Sequence, residues 1–271
     1  MKPAPFDYVR AETLAEAHDV LASEGSDAAV IAGGQTLVPL LSMRMARPRV
    51  VVDIMHVEEL GGIRVEDNAI RVGAAVRQAE LLVWPELAAR QPLLAQALPW
   101  VGHAQTRARG TVCGSIALAD PSAELPLCLL ALGGEVVLSS KDGQRRVAVD
   151  DFFTGLMSTA RNDDELIEAV SFPCVRPGEG FAFREFARRH GDFAIVACAA
   201  VVTEKNIRLA VGGVADRPVV RDFDEVSEDA LRDFASGLDA RDDLHATADY
   251  RRALVRKLGL SMIDEARRCR A

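Results

Sequence analysis

The chain has 271 residues, 49% of them apolar, enough for a buried core in either one large domain or two modest ones. Its 32 basic and 40 acidic residues leave a formal charge of −8 spread along the chain, which argues against bulk binding to nucleic acid or an anionic membrane. Neither a signal-peptide core nor a membrane-length apolar run occurs, so the expectation is a cytoplasmic protein without membrane insertion. The five cysteines, at 113, 128, 174, 198 and 269, are odd in number and scattered, which fits buried thiols and not a disulfide framework, zinc site or iron-sulfur motif.

In chain order, Thr13 with Glu16 forms a capping box, and Leu14, Ala17 and Leu21 behind it predict a helix. Residues 28–31 read as a strand, 37–45 as a short buried helix ending before Pro48, and 50–54 as a second strand. These make a β-α-β unit and a first subdomain over 1–56. Ile63 and Val65, then Ile70 and Val72, flank Glu66-Asp67-Asn68 and predict a hairpin that begins a second subdomain, 57–175. Helices follow at 92–100 and 124–131, a hairpin at 136–149, and a strand at 165–172. Pro173, Pro177 and Gly178-Glu179-Gly180 break both periodicities and suggest a linker into a C-terminal domain, 176–271. That domain carries strand-like runs at 181–186, 193–202 and 207–211, then helices at 228–234 and 246–268.

Two glycine-punctuated segments carry the chemistry. Ala32-Gly33-Gly34-Gln35-Thr36 follows a strand, a setting that brings bare backbone N–H groups toward a phosphate or pyrophosphate. Thr106 through Ile116 shows no hydrophobic period and reads as a second loop, so the pair can hold two parts of one long ligand. No G-x-S-x-G, H-E-x-x-H, Walker or G-x-G-x-x-G motif is present, hence no catalytic side chain and no metal ligand is expected. A chain with two cradling loops and no acid-base constellation suits a cofactor that carries the chemistry itself.

Residues 32–39, Gly102-His103 through Gly114-Ser115, Ala119-Asp120-Pro121-Ser122-Ala123-Glu124-Leu125-Pro126, and Arg188-Arg189-His190-Gly191-Asp192-Phe193-Ala194 resemble, in order, the FAD-binding medium subunit of the molybdenum hydroxylases. That family includes bacterial carbon monoxide dehydrogenase, and the flavin domain of xanthine dehydrogenase is its fused counterpart. The resemblance implies an α+β fold: a two-subdomain FAD-binding domain of the vanillyl-alcohol-oxidase (PCMH) type, plus a small C-terminal α+β domain with an antiparallel sheet and helices. It implies that Ile31, Ala32, Gly33, Gly34, Gln35, Thr36 and Leu37 wrap the FAD diphosphate. Val101, Thr106, Gly110, Thr111, Gly114, Ser115 and Ala119 would line the other side. Asp120 would bond the ribityl chain or ring, and Asp192 and Phe193 would approach the isoalloxazine.

Three positions depart from that pattern: Cys113 where a glycine is usual, Glu185 where several relatives carry lysine, and Phe193 for a tyrosine. If position 113 needs positive φ or close ligand approach, its side chain costs about 1 kcal/mol or more in strain. Arg107 and Arg109 suit either the diphosphate or structural ion pairs, while His103 and His190 suit structural or interfacial roles. The implied role is electron transfer: a small subunit with two [2Fe-2S] clusters feeds this chain's FAD, a large molybdopterin-binding subunit oxidises the substrate, and two heterotrimers pair. A non-catalytic assembly subunit with a degenerate flavin site, and a self-contained flavin oxidoreductase, are the alternatives.

Overall fold

Three short strands open the fold in the computed structural model, which describes residues 2–270: β1 (Asp7–Arg10), β2 (Ala28–Ile31) and β3 (Val50–Asp53). They pair in parallel in the order β1-β3-β2, so each connection must cross over. Helix α1 (Leu14–Glu24) makes the first crossing and α2 (Leu37–Ser42) lies in the second. Thr13 Oγ1 accepts the Glu16 N–H at 3.2 Å, while the Glu16 carboxylate reaches back to the Glu12 N–H at 2.8 Å, one residue before the expected cap partner. The expected buried helix over 37–45 stops at Ser42, because Arg44 adopts φ +59°, and it is not buried: Leu41 alone of its residues is, while Val38 is exposed.

A five-stranded antiparallel sheet follows. Strands β4 (Ile63–Glu66) and β5 (Ala69–Gly73) are joined at Asp67-Asn68, both at positive φ, as a two-residue hairpin of this twist requires. Between β5 and β6 lie α3 (Gln78–Leu82), α4 (Leu87–Arg90), α5 (Pro92–Ala97), α6 (Ala104–Arg107), α7 (Val112–Leu118) and α8 (Glu124–Leu132). The hairpin of β6 (Glu135–Ser140) and β7 (Gly143–Ala148) leads through α9 (Val149–Phe152) and the small ribbon β8 (Phe153–Gly155) and β9 (Ser158–Thr159) into β10 (Leu166–Pro173). The sheet order β4-β5-β10-β6-β7 puts β10 in the centre.

The C-terminal part is an antiparallel meander of β11 (Gly180–Phe186), β12 (Val196–Val202), β13 (Ile207–Gly212) and β14 (Val219–Phe223), followed by α10 (Glu228–Ser236) and α11 (Ala248–Arg268). Period-two alternation divides its side chains. Cys198, Leu209 and Val211 pack with Val255 and Met262 of α11, whereas Phe181, Phe183, Ala197 and Ala199 face the preceding domain's core. Helix α8 lies against that second face and is buried from Glu124 to Ala131, so it needs apolar residues all round. Gln96 fastens the seam, accepting the Phe183 N–H at 3.0 Å and donating to the Phe181 carbonyl at 3.4 Å. No helix among the described residues is long and apolar enough to cross a membrane.

Candidate cofactor-binding site

After β2 the chain turns through Gly33 and Gly34, and the two glycines serve different ends. A Cβ at Gly33 would fall 2.2 Å from the Arg109 carbonyl oxygen and 2.6 Å from Gly110 Cα, so the two glycine segments touch backbone to backbone. Gly34 has φ +70°, which lets the chain turn into α2. Leu37 opens α2, and the backbone N–H groups of residues 33–37 find no acceptor within the described chain, leaving five successive donors for an anion. The first hydrogen bond after them runs from Val38 N–H to Gly34 O, 3.0 Å.

The second segment differs from the expected loop. Residues 112–118 are helical, and Val112, Cys113 and Ile116 face inward at one-turn spacing. Two turns interrupted by Gly114 are too short for a period to be read from the sequence. Thr111 Oγ1 caps this helix by accepting the Gly114 N–H at 3.0 Å, and a Cβ on Gly114 would lie 2.7 Å from that oxygen. The Gln78 N–H to Gly110 O bond, 2.8 Å, and the Val112 N–H to Val76 O bond, 3.1 Å, fix the segment to the region after β5.

A cavity of about 670 Å³ runs between these walls. It brings together Ile31, Ala32, Gly33, Gly34, Gln35, Thr36 and Leu37 on one side with Val101, Thr106, Gly110, Thr111, Gly114 and Ser115 on the other. Asp192 and Phe193 close one end from the C-terminal part, and Phe193 is 66% exposed. Two expected residues are elsewhere. Ala119 is fully buried with φ +53°, ending α7 in a left-handed turn, and does not line this cavity. Asp120 accepts the Ser122 N–H at 2.8 Å and lines a second cavity of about 840 Å³, which shares Gly191, Asp192 and Phe193 with the first.

Cys113 carries none of the expected strain. It has no positive φ, its Sγ donates to the Val72 carbonyl at 3.5 Å, and burial pushes the thiol up to about 12. The Arg107 guanidinium turns inward to the Val101 and Gly102 carbonyls, at 2.8 and 2.9 Å, and pins the loop instead of facing the cavity. His190 stacks on Trp100 with ring centroids 4.9 Å apart, and Gly191, at φ +88°, sits over the His103 ring where a Cβ would be 2.5 Å away. These contacts seat the 188–193 loop beside the cavity mouth.

Gln78, Glu124, Arg161 and Glu165 also line the cavity, although the sequence reading did not select them as site residues. Gln78, Arg161 and Glu165 are isolated polar residues far from the glycine motifs, brought in by the sheet. Glu124 stood within the motif that carries the resemblance. Arg145 binds Glu165 through two bonds, 2.5 and 2.7 Å, and holds its carboxyl below the usual range. Burial raises Glu124 to about 7. Glu185, expected to clash with a ligand if it faced one, lines neither cavity. It lies in the seam between the sheet and the preceding domain, and burial followed by the charge of Glu124 raises it to about 8.

Free backbone donors on one wall, a glycine contact that tolerates no side chain, and a long, mostly apolar cleft fit a dinucleotide whose diphosphate needs donors and whose ring needs an apolar slot. A family model described as "FAD binding domain in molybdopterin dehydrogenase" matches residues 4–175. The chain belongs to that family. FAD is its cofactor. Within the family it is 38% identical over 275 residues to the 6-hydroxypseudooxynicotine dehydrogenase complex subunit alpha of Paenarthrobacter nicotinovorans, covering 95% of this chain and 93% of that one. It is 32% identical to the carbon monoxide dehydrogenase medium chain of Hydrogenophaga pseudoflava, covering 94% of each. The structure of quinoline 2-oxidoreductase from Pseudomonas putida 86 superposes with a TM-score of 0.90 at 33% identity, over 99% of both chains.

Proposed function

We propose that this chain is the flavoprotein subunit of a molybdenum-dependent dehydrogenase complex. A small partner with [2Fe-2S] clusters delivers electrons, a large molybdopterin-binding partner oxidises the substrate, and the complex pairs as two heterotrimers. The observation that carries the reading is the row of five free backbone donors, residues 33–37, facing the Thr111-capped segment across one cavity. The row holds the diphosphate, Thr36 adds its hydroxyl, and Thr111, Gly114 and Ser115 form the opposite wall. Asp192 and Phe193 close the ring end, the aromatic side chain offering a face without a hydroxyl. When bound, FAD exchanges electrons singly with iron-sulfur clusters and in pairs with an external acceptor.

The carbon monoxide dehydrogenase relative is named a medium chain and the 6-hydroxypseudooxynicotine dehydrogenase relative a complex subunit, which supports the multi-subunit setting. All five cysteines are free, which supports a cytoplasmic site and leaves the iron-sulfur centres to a partner. Native purification with metal analysis and a visible spectrum tests the proposal. One FAD per chain, with molybdenum and iron-sulfur partners co-purifying, is the expected result. A colourless chain that takes up no added FAD would sink it.

A further inference from the structure

The cofactor cavity has two ends built from different residues. Gly191, Asp192 and Phe193 close one. At the other, Leu166 of β10 pairs in register with Ser139 of β6, Ser139 Oγ lies 3.0 Å from His18 Nε2 on α1, and Leu21 follows one helical turn beyond His18. Helix α1 then passes through a single tight turn into Ala28, the first residue of β2. Leu21, Ala28, Leu166 and Ile167 all line the cavity, so this end is an apolar slot at the start of β2. The row of free backbone donors lies past the end of the same strand. Four strand residues span about 10 Å, room for a nucleoside between the slot and the donors.

Arg161 stands at the slot with its guanidinium fixed. Its Nη1 donates to the Asn162 carbonyl at 2.8 Å and to the Glu165 carbonyl at 2.7 Å, which hold the group to the turn entering β10. Nε and Nη2 have no partner among the described residues. The Glu165 carboxylate is already taken by Arg145 through two bonds, so Arg161 forms no ion pair among the described residues. A guanidinium is planar and weakly hydrated; its face stacks on an aromatic ring and its free edge donates to ring acceptors. Adenine offers a flat face and ring-nitrogen acceptors together. With the diphosphate at residues 33–37 and the flavin ring beside Phe193, the adenosine is the part of the cofactor left for this end.

We propose that Arg161 recognises the adenine of the dinucleotide, laying its guanidinium against the base in the slot of Leu21, Ala28, Leu166 and Ile167, and so selects FAD over FMN. The proposal rests on the FAD reading of the cavity and on the ring's place beside Phe193. Arg161 is a specificity residue and not a catalytic one: it acts on the half of the cofactor that carries no redox chemistry. A mononucleotide leaves the slot empty and gains nothing from it.

Fluorescence titration of the full chain freed of cofactor tests this on wild type, Arg161→Met and Arg161→Lys. FAD and FMN are titrated directly, and ADP and pyrophosphate are read by competition with FAD. Arg161→Met should bind FAD and ADP roughly ten-fold more weakly, with its affinity for FMN at the wild-type value. Pyrophosphate, which carries the charge without the base, should compete equally in wild type and variant. Arg161→Lys keeps a cation and a donor for the turn but no planar face, so it should lose most of the same selectivity, and it decides the matter if the methionine variant fails to fold. An FAD-to-FMN affinity ratio unchanged in either variant would overturn the assignment. A loss shared by pyrophosphate would also overturn it, by putting Arg161 on the phosphates. A wild-type chain that takes up neither FAD nor ADP would overturn the cofactor reading itself, whereas FAD binding with unchanged ratios removes the role of Arg161 and leaves that reading standing.

Discussion

Gly33 shows how one missing side chain joins two distant segments. Gly33→Ala would drive a Cβ to 2.2 Å from the Arg109 carbonyl, and backbone atoms cannot yield as a flexible side chain can. The expected outcome is a chain that retains less than about a tenth of its FAD, read as flavin absorbance per protein, with a lowered unfolding midpoint. Gly25→Ala is the steric control: it sits at φ +54°, ψ −126° with no atom within 4 Å of a new Cβ, so it costs backbone strain of about 1 to 3 kcal/mol and leaves FAD content unchanged. Cys113 is the opposite case, a residue conspicuous in the sequence and quiet in the fold. Its buried, high-pKa thiol should react with a thiol reagent only as fast as the chain unfolds, with or without FAD, whereas the exposed Cys269 reacts at once. Faster native labelling of Cys113, slowed by FAD, would contradict the placement of its sulfur against Val72.

At the scale of elements, the second wall of the cavity depends on the cap of α7. Thr111→Val keeps the shape and removes the hydroxyl that accepts the Gly114 N–H, which should cost about 1 kcal/mol of stability. Because Thr111 also lines the cavity, the same change should weaken FAD binding several-fold, measured by fluorescence titration of the bare chain. An unchanged dissociation constant would separate the cap from the site. Helix α8 is the other decisive element. It is buried along its length between the two sheets, yet begins with an acid that faces the cavity.

Across the whole molecule, the FAD domain and the C-terminal sheet are held by the Gln96 clamp and by α8. Gln96→Leu leaves the Phe183 N–H and Phe181 carbonyl without their side-chain partner, an expected loss of about 1 to 3 kcal/mol, with faster amide exchange along β11 than along β5. The pH profile follows from groups on both sides of that seam. Glu124 and Glu185 are raised above the ordinary carboxyl value, so the folded chain binds protons that the unfolded chain releases; stability therefore falls as pH climbs from about 5 to about 8. Glu165 and Asp243 are lowered, so their contribution is present above the unfolded value and disappears as pH drops through the folded one. Maximum stability is expected near pH 5, checked by denaturant midpoints across the range.

Local chemistry made much of this protein legible in its sequence. The Thr13 cap, the Asp67-Asn68 hairpin and the alternation along 181–186 depend on neighbours a few residues away, and the glycine and acid motifs carry the family resemblance. The edge strands β1 and β14 escaped because an exposed edge imposes no apolar period on sequences such as Asp7-Tyr8-Val9-Arg10. Helix α7 escaped because two turns are too short to show one. Only the tertiary structure decided that Gly33 is required by Arg109, that Cys113 turns to the core while Asp120 lines a second cavity, and that Glu185 is buried without a hydrogen-bond partner. Those outcomes depend on close approach between segments far apart in the chain, and a residue's own neighbours carry no record of what the fold will bring against it.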